Sequence, residues 1–488
     1  MKKTIFLWAG NHPRFSPART ICNFAMIAGI MIVFLWLFAG CATIKRAREA
    51  QDRSKTPAGE RTVRPAEVGL EAGTSLTLER AVEIGLKYHP SVVQARESVV
   101  VAESQAKDAV SAYFPTVTAS AGYTRSYSEG GSSSGGNTSA LSPELLDAMG
   151  KGGGEKDQYS AQISLDQLLF DFGRTSASVR QANLNVISAR ERLRLAQSTV
   201  VYQVRLAYYD LTKSQALVTS AEEEVKQFES HLEQMKILSE VGRQTGYEVT
   251  KSEVNLGNAQ TNLLNAQNAV KTARASLNRA MGLAEDAGYS VVEPPVEDLD
   301  RSFEELMDEA RKHNPEYLAL TAEDKMASAL VDQSIAGLFP KITLSGKLSW
   351  NGSEFPLSYG WSLGPAIVQT IFDGFRTINN IDQTAAQLRS AHARQAAKEQ
   401  EIYLDLSKAV AQLENARQRV RVAEEVEKQA QLNRSQVEDR YQVGRASLLE
   451  LTDAQLTLTQ AQTDLVQARN DLQSAIALIR LTTGEDLE

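Results

Sequence analysis

Cysteine is all but missing. The 488 residues contain two, Cys22 and Cys41, which excludes a disulfide-framed scaffold. Histidine is nearly as sparse. His12, His89, His231, His313 and His392 are scattered with no pair at ligand spacing, so no metal site is expected, because a metal needs converging ligands. Each of the five is expected to be solvated. No nucleophile elbow joins a strand to a helix and no Cys–His pair is set up for nucleophilic attack, so neither an enzyme nor a cofactor is expected. Asp171-Phe172-Gly173 spells the kinase magnesium motif, but the His-Arg-Asp loop and the Gly-rich phosphate loop are both missing. At a strand-to-helix junction that Asp is expected to cap helical N–H groups. Aromatics make up only 7%, thin for a large globular core, whereas rods that bury Leu against Ala need few. Acid outweighs base at a net charge of −8, and residues 1–40 hold four bases and no acid. Without them the charge is −12, a balance unsuited to nucleic acid.

Glycine and proline are absent from two long stretches, 174–241 and 376–443, each of 68 residues. At 1.5 Å per residue each would be a helix of about 100 Å, far beyond ordinary globular lengths. The stretches belong to an internal repeat. Phe170-Asp171 recurs as Phe372-Asp373, Val241-Gly242-Arg243 as Val443-Gly444-Arg445, and Met281-Gly282 as Thr483-Gly484, all 202 residues apart. Residues 76–112 and 303–338 also read as helical, each with an internal Pro (Pro90, Pro315) and each followed by Phe-Pro. The Phe-Pro pairs are 225 residues apart, so the first half holds 23 extra residues. The Gly- and Ser-rich stretch 130–154 accounts for them as an enlarged loop.

Segments flanking that loop alternate with period two, the pattern of strands. Val117, Ala119, Ala121, Tyr123 and Tyr127 alternate with Thr, Ser and Gly, and Tyr159, Ala161, Ile163 and Leu165 with Ser160, Gln162, Ser164 and Asp166. The second half repeats this with Ile342, Leu344, Leu348 and Trp350, then Tyr359, Trp361, Leu363 and Ile367. A half-buried soluble sheet alternates in the same way. Strands of about ten residues are also long enough to cross a bilayer when tilted. After each Val-Gly-Arg turn a strict heptad appears: Leu451, Leu458, Leu465, Leu472 and Ile479, with Ala454, Ala461, Ala468 and Ala475 three positions later. Val249, Leu256, Leu263, Val270 and Leu277 copy it, with Ser252, Ala259, Ala266, Ala273 and Ala280. Period seven specifies a left-handed coiled coil.

At the N-terminus, the uncharged stretch 21–40 follows a basic leader and ends in Leu37-Phe38-Ala39-Gly40-Cys41. Its length suits a bilayer-spanning anchor. Small residues directly before Cys41 resemble instead a bacterial lipoprotein signal, in which that Cys is lipidated and becomes the new N-terminus. Residues 42–75 are charged, contain Pro57 and Pro65, and read as a tether.

Phe-Pro before the first strand of each half, Ile371-Phe372-Asp373-Gly374 and Leu169-Phe170-Asp171-Phe172-Gly173 after the hairpins, and Tyr441-Gln442-Val443-Gly444 at the turn resemble the TolC-like outer membrane factors. The signal at Cys41 resembles their lipoprotein branch. The resemblance implies a mixed fold: long antiparallel coiled-coil helices forming an α-barrel, and four strands per chain pooled by a homotrimer into a twelve-stranded transmembrane β-barrel. It divides the chain into a signal peptide (1–40), a tether (41–75), a first efflux repeat (76–284), an equatorial linker (285–301) and a second repeat (302–488). It implies an exit duct in the outer membrane, working with a periplasmic adaptor and an inner-membrane pump of the RND type and touching outer membrane lipids. Val241, Gly242, Arg243, Val443, Gly444 and Arg445 would form the adaptor-binding tip. Tyr441 would help hold the periplasmic entrance shut, and Glu450, Asp453 and Glu248 would line it, where a ring of three carboxylates selects cations. A protein-secretion channel shares this architecture. A structural coiled-coil lipoprotein that spaces the envelope is the rival from another class, and the four amphipathic strands, which a spacer does not need, argue against it.

Overall fold

The computed structural model describes residues 44–45, 47–48, 51, 63–70, 73–128, 154–242, 245–284, 288–295 and 299–485. Cys41, the signal segment, the Gly- and Ser-rich loop and Arg243 lie outside the described residues. Residues 64–488 cluster as one unit, separate from 1–63.

The first half runs β1 (Ser75–Leu76), α1 (Leu78–Tyr88), α2 (Pro90–Ser111), β2 (Thr116–Ser128), β3 (Gly154–Phe170), α3 (Arg174–Glu240) and α4 (Gly246–Met281). The second runs β4 (Ser290–Val291), α5 (Phe303–His313), α6 (Pro315–Ala336), β5 (Lys341–Gly352), β6 (Ser358–Val368), α7 (Arg376–Gln442) and α8 (Leu448–Thr483). Both Gly/Pro-free stretches form single helices of 67 residues. The segments with an internal proline differ from the expected continuous helices, each splitting into helices of 11 and 22 residues. Proline forces the residue before it out of the helical region, so His89 and Asn314 are extended, with ψ of 129° and 116°. Each then caps the helix that Pro begins. His89 Nδ1 accepts from Ser91 N at 3.3 Å, and Asn314 Oδ1 accepts from Tyr317 N at 3.0 Å.

Helix starts after the hairpins are anchored as the sequence suggested. Asp171 Oδ2 accepts from Thr175 N at 2.8 Å and Asp373 Oδ2 from Thr377 N at 3.0 Å. Two consecutive residues in each junction have positive φ: Phe172 and Gly173 in one half, Gly374 and Phe375 in the other. The aromatic and the glycine have exchanged places.

The twelve-stranded β-barrel, its membrane-crossing strands and the α-barrel expected from the family resemblance are not found. The strands form one open antiparallel sheet in the order β2-β3-β5-β6. Its outer edges pair with nothing among the described residues, and four strands are too few to curl into closure. The helices likewise make an open row. α3 packs on α2, α4, α6 and α8, and α7 packs on α6 and α8. The outer members, α2 and α4 on one side and α7 on the other, do not meet to close a ring. No helix among the described residues is long and apolar enough to cross a membrane.

Register sorts the sheet into two faces. Val117, Leu165, Gly346 and Leu363 fall in one row, Ala119, Ile163, Leu348 and Trp361 in the next, and Ala121, Ala161, Trp350 and Tyr359 in the third. The other face carries Thr118, Ser164, Lys347 and Ser362. Among the described residues nothing covers the apolar face, and Trp361 is 70% exposed.

The seam follows the heptads. In α8 every Ala from Ala454 to Ala475 is buried, with Leu458, Leu472 and Ile479. In α4, Ser252, Ala259, Ala273 and Ala280 are buried, but Val249, Leu256, Leu263 and Val270 only half so. The asymmetry has a cause: α8 lies between α3 and α7, whereas α4 ends the row.

The densest packing is at mid-length. Tyr208, Leu76, Leu277, Met281, Leu406, Ile476 and Ile479 are fully buried there. Tyr208 holds the parallel β1–β4 pair: its hydroxyl donates to Leu76 O (2.9 Å) or Val292 O (2.6 Å) and accepts from Val292 N at 3.1 Å. Tyr208→Phe removes the hydroxyl but leaves the Val292 amide its backbone bond to Leu76 O at 3.2 Å, so we expect a loss of about 0.5–1.5 kcal/mol. Thermal unfolding measures it, and an unchanged midpoint would show that the hydroxyl contributes nothing to the junction.

Candidate functional site at the helical tip

Two turns close the end of the rods opposite the sheet. The α3–α4 turn uses Val241 and Gly242, the latter at φ 72°, and the α7–α8 turn uses Val443 and Gly444, the latter at φ 71°. Both glycines end their helices in the left-handed region, where a side chain would be strained. Gly444 N donates to Tyr441 O at 2.9 Å and Arg445 N to Arg440 O at 2.8 Å. Val241 and Val443 are exposed on the two turns, with Tyr247 and Leu449 at matching places beside them. Space is open around Gly242 and Gly444.

Glu450 has a structural partner that the sequence reading passed over. Ser447 and Glu450 form a reciprocal capping box at the start of α8. Glu450 N donates to Ser447 Oγ at 3.2 Å, and Ser447 N donates to Glu450 Oε1 at 3.4 Å. Arg440 adds an ion pair to Glu450 Oε2 at 3.5 Å. Asp453 stands one turn on and is exposed. Glu248, the first-half counterpart of Glu450, has no such box, because Thr245 makes no side-chain cap bond.

Glu248 instead turns toward α3 and α7. Its Oε2 is buried without a hydrogen-bond partner, and its charge acts on both His231 and Tyr441. Tyr441 is half-buried, with its hydroxyl 3.8 Å from Met235 Sδ and its ring centroid 5.8 Å from that of His231. Burial pushes the Tyr441 phenol up from its ordinary value, and Glu248 adds to the rise. The structure therefore brings Tyr441 and Glu248 together around His231 and keeps Glu450 and Asp453 apart from them. A cavity of about 170 Å³ lies alongside, between α3, α7 and α8.

His231 corrects the expectation that every histidine is solvated, being 8% exposed. The sequence carried the signal: Phe228, His231, Leu232 and Met235 fall at i, i+3, i+4 and i+7, one helical face. His89 is another correction, since it caps α2 and burial lowers its pKa, with Arg279 adding to the shift. Among the described residues no three His, Cys, Asp or Glu side chains cluster as metal ligands would.

Comparison with known proteins bears on both halves. The profile of the family described as outer membrane efflux protein matches residues 83–283 and 306–485. The outer membrane efflux protein BepC of Brucella suis is 26% identical over 389 residues, 79% of this chain and 80% of that one. The crystal structure of the outer membrane protein VceC from Vibrio cholerae superposes with a TM-score of 0.70 at 19% identity, covering 83% of this chain and 96% of that one. The outer membrane channel CmeC of Campylobacter jejuni does so with a TM-score of 0.71 at 15% identity, covering 83% and 85%. At such identities the two structures speak for the fold alone.

The unequal caps give a paired test. Ser447→Ala removes a working capping box and should cost about 1 kcal/mol, with faster amide exchange over 448–451. Thr245→Ala, where no cap bond exists, should change neither stability nor exchange over 246–249. Equal effects at both sites would show that the box contributes nothing.

Proposed function

The chain belongs to the outer membrane efflux protein family, and from that premise we propose that it is the exit duct of a tripartite efflux system. It is a non-catalytic transport protein of the outer membrane. In this reading it passes substrates from an inner-membrane pump of the RND type, through a periplasmic adaptor, to the exterior. The observation that carries it is the match of both halves of the repeat to one efflux family. The repeats then span 76–284 and 302–488, joined by an equatorial linker at 285–301, behind a signal peptide (1–40) and a tether (41–75).

The working unit is a homotrimer. Supporting it are the unpaired outer edges of β2 and β6 and the exposed Tyr403, Leu404, Val422 and Val426 along α7. Among the described residues these surfaces lack a cover, and symmetric copies provide one. The apolar sheet face suits residence at the membrane. Cys41, behind Ala39-Gly40, carries the lipid anchor. The exposed turns at Val241-Gly242-Arg243 and Val443-Gly444-Arg445 receive the adaptor, and Tyr441, Glu248, Glu450 and Asp453 form the periplasmic entrance.

If Cys41 is the lipidated first residue, intact-mass measurement on membrane-extracted protein should give a chain starting at an acylated Cys41. A species that retains residues 1–40 would rule that out.

Three copies of Glu450 and Asp453 around one axis attract cations, more strongly at low salt. We therefore expect a cation-selective conductance in planar bilayers that weakens in Glu450→Gln plus Asp453→Asn. Glutamine still completes a capping box, so the variant removes charge while keeping the cap. Gly444→Trp should abolish efflux in cells while trimers stay in the membrane. Selectivity unchanged by the double neutralisation would return the acids to a solvated helix face.

A further inference from the structure

Near the tip, the buried face of α3 carries a group that helix packing alone does not call for. His231 sits among Phe228, Leu232 and Met235, and its Nε2 has no hydrogen-bond partner. From α4, the carboxylate of Glu248 faces it with Oε2 also unpaired. From α7, the Tyr441 ring leans on the imidazole at 54°. The neighbouring cavity is lined by His231, Arg434, Glu438, Tyr441, Thr452 and Gln455 among others, and it is large enough for several waters. Proton and water therefore reach His231 without unfolding of the rod.

We infer that His231 is the positioning residue for Tyr441, and that protonation of its ring releases Tyr441 and loosens α3 from α7 and α8 at the tip. The transport consequence rests on the reading of Tyr441 as an entrance residue; the contact itself does not.

A neutral imidazole packs against a phenol ring at little cost, whereas a buried imidazolium requires a partner or water. The groups facing it decide which. Arg434 and Glu438 of α7 pair with each other at 3.0 Å. α8 lines the cavity with Leu448, Leu451, Thr452 and Gln455, none of which titrates. On α3 itself, Glu224 lies two turns away, and burial favours its protonated form. Among the described residues facing the ring, Glu248 offers a buried carboxylate oxygen without a partner, and a charged ring drawn to α4 leaves Tyr441.

Burial holds the His231 imidazole below its ordinary value of 6.5, with Glu248 pulling the other way. The packed tip thus binds fewer protons than a released tip with a hydrated His231. Packing is favoured above pH 6.5, loses ground as pH falls through 6.5, and levels off below the depressed value. One proton per chain limits the response to about tenfold in the packing equilibrium per pH unit.

Spin labels at Glu233→Cys on α3 and Asp439→Cys on α7, both exposed positions, report the separation in full-length protein in membranes. Double electron–electron resonance at pH 8 and pH 5 should show a longer, broader distance at pH 5. His231→Phe keeps a ring and loses the proton, and should give the pH 8 distance at both. A wild-type distance independent of pH, or an unchanged response in His231→Phe, overturns the proposal. Conductance on the same samples separates the two readings. A distance change without a conductance change would defeat Tyr441 as an entrance residue and leave the His231 contact standing.

Discussion

Everything in this fold depends on how closely two very long helices can approach their neighbours. A helix of 67 residues gains little from local propensity, and most helical stability in proteins comes from packing one face. Here that face is small. Ala454, Ala461, Ala468 and Ala475 are buried along α8, and a methyl group at each heptad lets backbones close in while the alternate Leu positions fill the flanks. A larger residue in this column would push the rods apart along their whole length. The thin aromatic content follows from the same constraint.

The seam also explains where chemistry collects. Along α8 the buried column is chiefly Ala and Leu and holds nothing that titrates. Toward the tip, α3 breaks the pattern with His231 and Met235, against Glu248 and Tyr441 from other helices. The polar cluster lies near the tip, and the mid-length core around Tyr208 and Ile479 holds the fully buried large side chains.

Much of this was legible in the sequence because helical signals are local. Missing Gly and Pro predicted both long helices to within a residue, and period two located all four strands. The splits at Pro90 and Pro315 were also written in the chain, but they were read as interruptions within one helix when the residue before each Pro had to leave the helix. Closure was not legible. An open sheet and a closed barrel have the same alternation, and which one forms depends on strands that a single chain does not possess. His231 was missed because a lone histidine looks solvated until it is placed on the stripe of Phe228, Leu232 and Met235. Glu450 was read for its charge, while its spacing from Ser447 already described a cap.

The two long helices have equal length, and of the 23 residues by which the halves differ, 20 lie between β2 and β3, where 25 residues stand against 5 between β5 and β6. Equality has an evolutionary price tag written in geometry. One residue inserted into either rod would advance everything beyond it by about 1.5 Å and turn it by about 100°, taking every later alanine off the seam. Compensation would require the same insertion in the partner rod. Length in this molecule can therefore drift freely in its loops, one residue at a time, but in its rods only by concerted steps that restore the phase.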